Sequence, residues 1–509
     1  MTAVGVCVIE AIIGGLVALF TVQTAVFMVI GVVYGLIIGV LPGLGGIVAL
    51  ALLLPFTYGF EVAATLALLL GAHIGTIWGS SVTSILFNVP GAAKSLASCF
   101  DGYPMTQQGQ ATRALSASAM AALMGGLAGA IFLAVSIPVI RPIMLALGPS
   151  EYLMMAIWGL TIIATFSEGS MLKGMIAAVF GVLVAFIGMD IVTATPRFTF
   201  DVDFLFDGVS FPVAMIGMFA ISEMMKLYVK GGSIVDRSVV DEKSTVFEGV
   251  KDVFRHWGLV MRSSLLGVWI GVLPGVGASV GGIAAYAQAA QTSKNPERFG
   301  KGAVEGVIAP DATLGANEGG GLMPTLAFGI PGGEGMAILL VAFIGIGIVP
   351  GPEMLTKNLD LVFSMVWIIV LANVLVTVIG LCAAPYLARL PALHPNIMIP
   401  MVLSVCFIGA YATRGHIEDV VVAVVFGMLG FLMDKYQFSR ANFVIGMVLA
   451  TMIERNLHLS LTLYGDAFLF TRPITLMMFV FILVTTALPF IRSWRRRRRA
   501  ALAAEGDAS

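Results

Sequence analysis

The stretch Gly35-Leu-Ile-Ile-Gly-Val-Leu-Pro-Gly-Leu-Gly45 decides the fold, because the chain repeats it as Gly267-Val-Trp-Ile-Gly-Val-Leu-Pro-Gly-Val-Gly277. We call the shared core the first and second GVLPG motif. Each motif is followed by a second matched pair, Phe87-Asn-Val-Pro-Gly91 and Phe328-Gly-Ile-Pro-Gly332, which we call the first and second Pro-Gly element. Proline removes a backbone donor and clashes with the preceding turn, and glycine permits dihedrals closed to other residues. The chain therefore predicts two homologous repeats, each with a Gly/Pro-broken helical hairpin.

The composition places these motifs in a membrane. Of 509 residues, 59% are hydrophobic and only 11% are charged, whereas soluble domains carry about 25% charged residues. The apolar runs are long and continuous, and a bilayer demands that backbone polar groups be paired internally, so helices are expected. At about 20 residues per span, we predict an all-α polytopic membrane protein with about eleven or twelve full spans and several shorter broken ones.

Charge placement predicts the organisation and the orientation. We expect a first transmembrane repeat at residues 1–228, a polar cytoplasmic linker at 229–258, a second repeat at 259–492 and a basic cytoplasmic tail at 493–509. The Arg-rich tail follows the last apolar run directly, which favours the cytoplasm by the positive-inside rule. The loop at 55–61 after the first GVLPG motif has no basic residue, which suits the opposite face. The two repeats are therefore expected to be inverted.

The broken helices suggest a binding site for an anion. New helix starts carry partial positive charge, and preceding helix ends offer carbonyls to a cation. A single Gly/Pro break is better explained by a kink or a close helix crossing, but two matched copies favour a site. Nearby hydroxyls and amides could receive a carboxylate without a buried fixed charge. We expect the binding residues to be Gly43, Gly45, Ser80, Ser81, Thr83, Asn88, Pro90, Gly91, Gly275, Gly277, Ser279, Asn317, Pro331 and Gly332.

Two acidic residues in the second repeat, Asp311 and Glu318, are candidates for binding a coupling cation or proton. The alternative is a loop carboxylate in water. His73 could relay a proton, although a hydrogen-bonded structural histidine is the favoured interpretation. The sequence shows no nucleophile–base pair, phosphate loop or metal-ligand spacing, so we predict neither an enzyme nor a metal site, and no cofactor beyond the coupling ion.

At these residues the chain resembles the large membrane subunit of the tripartite tricarboxylate transporters, from about residue 14 to residue 490. The resemblance rests on both GVLPG motifs, both Pro-Gly elements and several further stretches: Asp101-Gly-Tyr-Pro-Met105, Leu147-Gly-Pro-Ser-Glu-Tyr152, Thr195-Pro-Arg-Phe-Thr-Phe200, Pro296-Glu-Arg-Phe-Gly-Lys-Gly302 and Thr471-Arg-Pro473.

The resemblance implies a multi-pass permease of the bacterial inner membrane that imports a small carboxylate, a tricarboxylate or a related acid, driven by a Na⁺ or H⁺ gradient. The implied partners are a small membrane subunit and a periplasmic solute-binding protein, with no nucleic acid. A stand-alone carboxylate or ion exchanger is the main alternative, ahead of a membrane-embedded enzyme or a channel. Glu318 and Glu334 depart from the usual family pattern, which leaves the particular carboxylate open.

Overall fold

The computed structural model describes residues 2–41, 44–57, 59–165, 171–190, 193–230, 244–274, 278–387 and 395–486. Helices dominate this part of the chain, so the predicted all-helical class is confirmed. Its strands are the short antiparallel pair β1 (Gly188–Met189) and β2 (Pro196–Arg197), in which Gly188 lies opposite Arg197.

The α-helices are numbered in chain order. They are α1 (Thr2–Val17), α2 (Val22–Gly39), α3 (Gly45–Leu53), α4 (Val62–Phe87), α5 (Leu96–Gln107), α6 (Ala111–Ala146), α7 (Pro149–Thr165), α8 (Met171–Ala185), α9 (Asp203–Phe206), α10 (Phe211–Met215), α11 (Ser222–Lys230), α12 (Val246–Arg255), α13 (Trp257–Val272), α14 (Ala278–Thr292), α15 (Glu305–Phe328), α16 (Glu334–Gly345), α17 (Leu359–Leu387), α18 (Pro395–Arg414), α19 (Ile417–Lys435), α20 (Arg440–Tyr464), α21 (Phe468–Thr471) and α22 (Pro473–Thr486). A π-helical turn, Ile216–Ile221, joins α10 to α11, and 3₁₀ turns lie at Ala18–Phe20, Leu54–Thr57, Ala93–Ser95 and Pro296–Arg298.

Six of the described helical segments are long and apolar enough to cross a membrane: α2, α4, α6, Phe211–Val229, α17 and α20. Seven shorter apolar helices accompany them. Helix α6 exposes Ile131, Val135 and Val139 at a spacing of four residues, an apolar stripe that suits contact with lipid. The structure thus supports a multi-pass membrane protein, while the predicted number of spans stays a prediction.

The chain divides into two compact units, one of residues 1–144 and 209–436 and the other of 145–208 and 437–509. Each unit draws on both predicted repeats, so the units do not test the predicted repeat boundaries. Helix α12 lies inside the predicted linker, whereas residues 231–243 of that linker and the whole predicted tail at 493–509 lie outside the described residues.

Close glycine contacts hold the first unit together. Gly31, Gly35 and Gly39 recur every fourth residue on α2 and face a matching series on α4, where a Cβ on Gly35 would strike the carbonyl of Ala72. Gly271 approaches α15 in the same way, because a Cβ there would lie 2.5 Å from the Asn317 carbonyl oxygen. Small residues let membrane helices pack backbone to backbone. These contacts bring α4 and α15 into the core, where the candidate site lies.

The second unit contains α7, α8, α20 and α22, and ion pairs between buried carboxylates and half-buried arginines connect its segments. Arg197 lies 2.6 Å from Glu454 on α20 and 3.2 Å from Asp190 near β1. The Glu454 hydrogen bond is the main cause that raises the pKa of the Arg197 guanidinium. Glu151 on α7 pairs with Arg472 at 3.0 Å. These contacts tie distant segments of the unit to one another.

Candidate functional site

Two buried polar layers connect α4 to α15. Ser81 Oγ donates a 2.6 Å hydrogen bond to Asp311 Oδ1, and His73 Nε2 lies 2.6 Å from Glu318 Oε2. The earlier residue of α4, His73, contacts the later residue of α15, Glu318, and the later residue Ser81 contacts the earlier residue Asp311. The two helices therefore run antiparallel. At 1.5 Å of rise per residue the layers are about 10–12 Å apart. We name them the Asp311 layer (Ser81, Ser98, Asp311) and the Glu318 layer (His73, Lys94, Glu318).

The Glu318 layer places one carboxylate between two basic side chains. Lys94 Nζ lies 3.5 Å from Glu318 Oε1, and the side chains of His73 and Glu318 are each only 5% exposed. The His73–Glu318 contact is short, and His73 Nδ1 has no hydrogen-bond partner among the described residues. Buried polar atoms are almost always paired, so an unpaired one calls for a functional explanation.

Two helix starts meet the His73 ring. Gly46 is the second residue of α3, which follows the first GVLPG motif, and a Cβ there would lie 3.3 Å from His73 Nδ1. Gly335 is the second residue of α16, which follows the second Pro-Gly element, and a Cβ there would lie 2.9 Å from His73 Nε2. A side chain at Gly335 would clash with the ring, and one at Gly46 would press against it. The partial positive charges of both helix starts therefore converge on the Glu318 layer.

The Asp311 layer is different because its donors are hydroxyls. Asp311 is 1% exposed, and Ser98 Oγ adds a 3.3 Å hydrogen bond to the Oδ1 that Ser81 already contacts. Asp311 Oδ2 has no hydrogen-bond partner among the described residues. Asp311 and Glu318 both lie inside α15 and are buried, so neither is a loop carboxylate in water. Their predicted coupling role is a separate matter and stays a prediction.

The predicted hydroxyl and amide contacts have partners of their own. Ser80 Oγ donates to the Ile77 carbonyl at 2.8 Å, and Thr83 Oγ1 donates to the Ser80 carbonyl at 2.9 Å. A substrate carboxylate could accept hydrogen bonds from these hydroxyls only if they gave up their bonds to the α4 carbonyls. Asn88 is exposed and ends α4 with a φ of 54°, and Asn317 is half-buried on α15. Their binding roles remain predictions.

The Pro-Gly elements pack on the GVLPG motifs. A Cβ on Gly91 would lie 2.9 Å from the Gly39 carbonyl oxygen, and one on Gly332 would lie 2.7 Å from the Gly271 carbonyl oxygen. Pro90 and the buried Pro331 precede these two glycines. Gly45 has a φ of +54°, and its Cβ position lies 3.2 Å from Ala92. The predicted residues Gly43, Gly275 and Gly277 lie outside the described residues, as does the side chain of Ser279.

The list of predicted site residues misses Lys94 and Ser98, and it leaves His73 out. Lys94 had a usable signal, because no Lys or Arg precedes it in the chain and it comes three residues after the first Pro-Gly element. An isolated charge within apolar sequence is by itself a reason to expect function. Ser98 offers no such signal, since only the fold brings it to Asp311.

Comparison with known proteins identifies the family. Residues 25–445 match the family described as "Tripartite tricarboxylate transporter TctA family". The chain belongs to this family. The resemblance found from the sequence is thereby confirmed, and the chain is a membrane subunit of a transporter of several components, consistent with the expectation that it is not an enzyme.

Two relatives come from Agrobacterium vitis. One, the "Uncharacterized 52.8 kDa protein in TAR-I ttuC' 3'region", is 32% identical over 485 residues, which cover 92% of this chain and 94% of the relative. The other, the "Uncharacterized protein in TAR-II ttuC' 3'region", is 30% identical over 234 residues, which cover 46% of this chain and 97% of the relative. No solved structure matches the chain.

Proposed function

We propose that this chain is the permease of a binding-protein-dependent secondary transporter that imports a small carboxylate, driven by a Na⁺ or H⁺ gradient. It works in the bacterial inner membrane with a small membrane subunit and a periplasmic solute-binding protein. The observation that carries the proposal is that the α3 and α16 starts both approach a buried basic centre, His73 and Lys94. Helix starts and basic side chains are the groups that recognise carboxylates in proteins.

We also propose that the two halves are inverted repeats. Corresponding helices of inverted repeats run in opposite directions, and α4 and α15, which precede the two Pro-Gly elements, are antiparallel. Both helices end in a left-handed residue three positions before the Pro-Gly glycine, Asn88 with a φ of 54° and Gly329 with a φ of 66°. The packing of Gly91 on Gly39 is repeated by Gly332 on Gly271. This support is independent of the sequence match.

The energy for import comes from ion movement in this proposal. The sequence contains no phosphate-binding loop, and each elementary charge that crosses 100 mV exchanges about 2.3 kcal/mol. Asp311 and Glu318 are the proposed coupling residues, since they are the two buried carboxylates of α15. A cation or proton bound there offsets the negative charge of the substrate.

Uptake by membrane vesicles tests the proposal. The vesicles contain this chain and its small membrane subunit, and the binding protein is added outside with labelled succinate, tartrate or citrate. We expect uptake of at least one acid that stops when ionophores collapse the ion gradients. Uptake that survives this collapse and follows internal ATP would refute secondary transport. Undiminished uptake without the binding protein would instead favour the stand-alone exchanger.

A further inference from the structure

We infer that Lys94 and His73 bind a carboxylate of the substrate, that Glu318 takes the place of this carboxylate when the site is empty, and that Glu318 accepts a proton when the substrate displaces it. The inference rests on the proposed function and deepens it, because it assigns the coupling ion and two substrate contacts at the same site.

The charges of the Glu318 layer support an anion site. One carboxylate faces Lys94 Nζ at 3.5 Å and His73 Nε2 at 2.6 Å, and two helix starts add partial positive charge around the same ring. Without an anion, this positive charge would be buried and uncompensated, which costs several kcal/mol. Glu318 supplies the anion in the empty site. A substrate carboxylate has the same shape and charge and can replace it.

The surroundings leave a place for such a ligand. His73 Nδ1 is unpartnered among the described residues and faces Gly46 at the start of α3. A Cβ on Gly333, the residue immediately before α16, would have no atom within 4 Å, so there is open space at this helix start. The Lys94 side chain is 15% exposed, more than the side chains of His73 and Glu318. An unpartnered ring nitrogen, a partly exposed ammonium group and open space therefore occur around the layer.

The same contacts argue for a proton at Glu318. Na⁺ requires oxygen ligands, whereas the two side-chain partners of Glu318 are nitrogens that carry or can carry a proton. A carboxylate that loses these partners in a buried site is stabilised by protonation. One proton moves from the solution to Glu318 for each carboxylate bound, and it leaves when the carboxylate leaves. Binding and protonation are therefore linked, and each strengthens the other.

Other ionisable groups near α15 have different places. Asp101 on α5 accepts hydrogen bonds from the Gly302 and Ala303 amides at the start of α15, and Arg113 on α6 binds Asp252. The remaining charged groups on α15 and on the helices that pack against it are Arg141 on α6, Arg262 on α13, Glu334 on α16, Asp360 on α17, and Glu305 and Asp311 on α15 itself. Among the ion pairs of the described residues, those of Glu318 are made with His73 and Lys94.

The test measures the KM for uptake of the acid that the wild-type complex transports, between about pH 6 and pH 8. We compare Lys94→Gln, His73→Asn and Glu318→Gln with the matched controls Lys357→Gln and Glu353→Gln, which alter an ion pair whose side chains are 73% and 57% exposed. Lys94→Gln should raise the KM at least about tenfold, a loss of about 1.4 kcal/mol, and His73→Asn should raise it less. Both controls should match the wild type.

Glu318→Gln separates the proton from the anion site. The substrate titrates equally in both proteins, so any difference in pH dependence belongs to Glu318. The KM of both proteins is measured against pH. The KM of the wild type should rise more steeply than that of Glu318→Gln, by a factor of up to about ten per pH unit, as expected for one linked proton. The double variant K94Q/E318Q removes one positive and one negative charge together, so it should fold and still show the raised KM.

Three outcomes would overturn the inference. If Lys94→Gln and the double variant had the same KM as the control Lys357→Gln, Lys94 would not contact the substrate. Glu318→Gln could keep the full pH dependence of the wild type, which would remove the proton. A wild-type complex that takes up none of the acids would refute the proposed function and this inference with it, whereas the first two outcomes leave the proposed function standing.

Discussion

Adding one methyl group at Gly91 or at Gly332 should loosen the corresponding Pro-Gly element. A Cβ on Gly91 would lie 2.5 Å from Thr83 Oγ1 on α4 and 2.9 Å from the Gly39 carbonyl oxygen. A Cβ on Gly332 would lie 2.5 Å from the Gly321 Cα on α15 and 2.7 Å from the Gly271 carbonyl oxygen. Comfortable contacts begin near 3.5 Å, so the neighbouring atoms must move away by up to about 1 Å. Overpacking of this kind costs about 1–3 kcal/mol, which shifts the folding equilibrium by about 5- to 150-fold.

Thermal unfolding of the purified protein in detergent measures this cost, and the uptake assay measures its effect on transport. We expect Gly91→Ala and Gly332→Ala to lower the melting temperature by a few degrees each and to reduce uptake. Gly258→Ala is the matched control, because a Cβ there meets nothing within 4 Å and alanine favours helix. If both variants melted and transported like Gly258→Ala, the close packing of the Pro-Gly elements on α4, α15 and the GVLPG motifs would be refuted.

Two further predictions concern ion pairs outside the site. The hydrogen bond between His256 and Glu305 is the main cause that raises the pKa of His256 above its ordinary 6.5 and lowers that of Glu305 to about 2. The contribution of His256 to stability is therefore complete below pH 6.5 and disappears as pH rises through its raised pKa. The contribution of Glu305 disappears as pH falls from its ordinary pKa of 4.5 toward its lowered pKa of about 2. The stability difference between wild type and His256→Gln should thus be largest between these values and shrink above neutral pH, and a difference that grew toward pH 9 in thermal melts would contradict this assignment. In the second unit, Arg197→Gln leaves the buried Glu454 carboxylate unpaired, so it should lower the free energy of unfolding by about 2–4 kcal/mol. The double variant R197Q/E454Q should recover much of this stability. Equal melting temperatures for the wild type and both variants would exclude a stabilising role for this ion pair.

The sequence predicts the helical class and the family because both depend on local signals. Continuous apolar runs and the duplicated GVLPG motifs are visible without any knowledge of contacts. The Glu318 layer is not visible in this way, since Glu318 comes from a part of the chain distant from His73 and Lys94. Charge alone marked Glu318 and, in principle, Lys94. Only the antiparallel packing of α4 on α15 shows that they neutralise each other.

The predicted hydroxyl contacts illustrate a second limit of sequence reasoning. Ser80 and Thr83 were expected to donate to a carboxylate, yet both donate to carbonyls of their own helix. Serine and threonine on helices have this option at every position, and a sequence does not show which choice is made. Ser81 differs because Asp311 lies within 2.6 Å on another helix.

The two buried carboxylates of α15 suggest how a multiply charged acid could be carried. A proton on Glu318 offsets one negative charge of the substrate, but a dicarboxylate or tricarboxylate keeps at least one more. Moving that charge inward against a negative interior costs about 2.3 kcal/mol per 100 mV. Asp311 has an unpartnered Oδ2 among the described residues and three hydroxyl neighbours, Ser81, Ser98 and Ser118. Oxygen donors of this kind suit a hard cation rather than an anion. The two layers of α15 thus differ in the atoms that surround their carboxylates, which are nitrogens at Glu318 and hydroxyl oxygens at Asp311. This difference would let one helix bind an anion and its compensating cation about two turns apart.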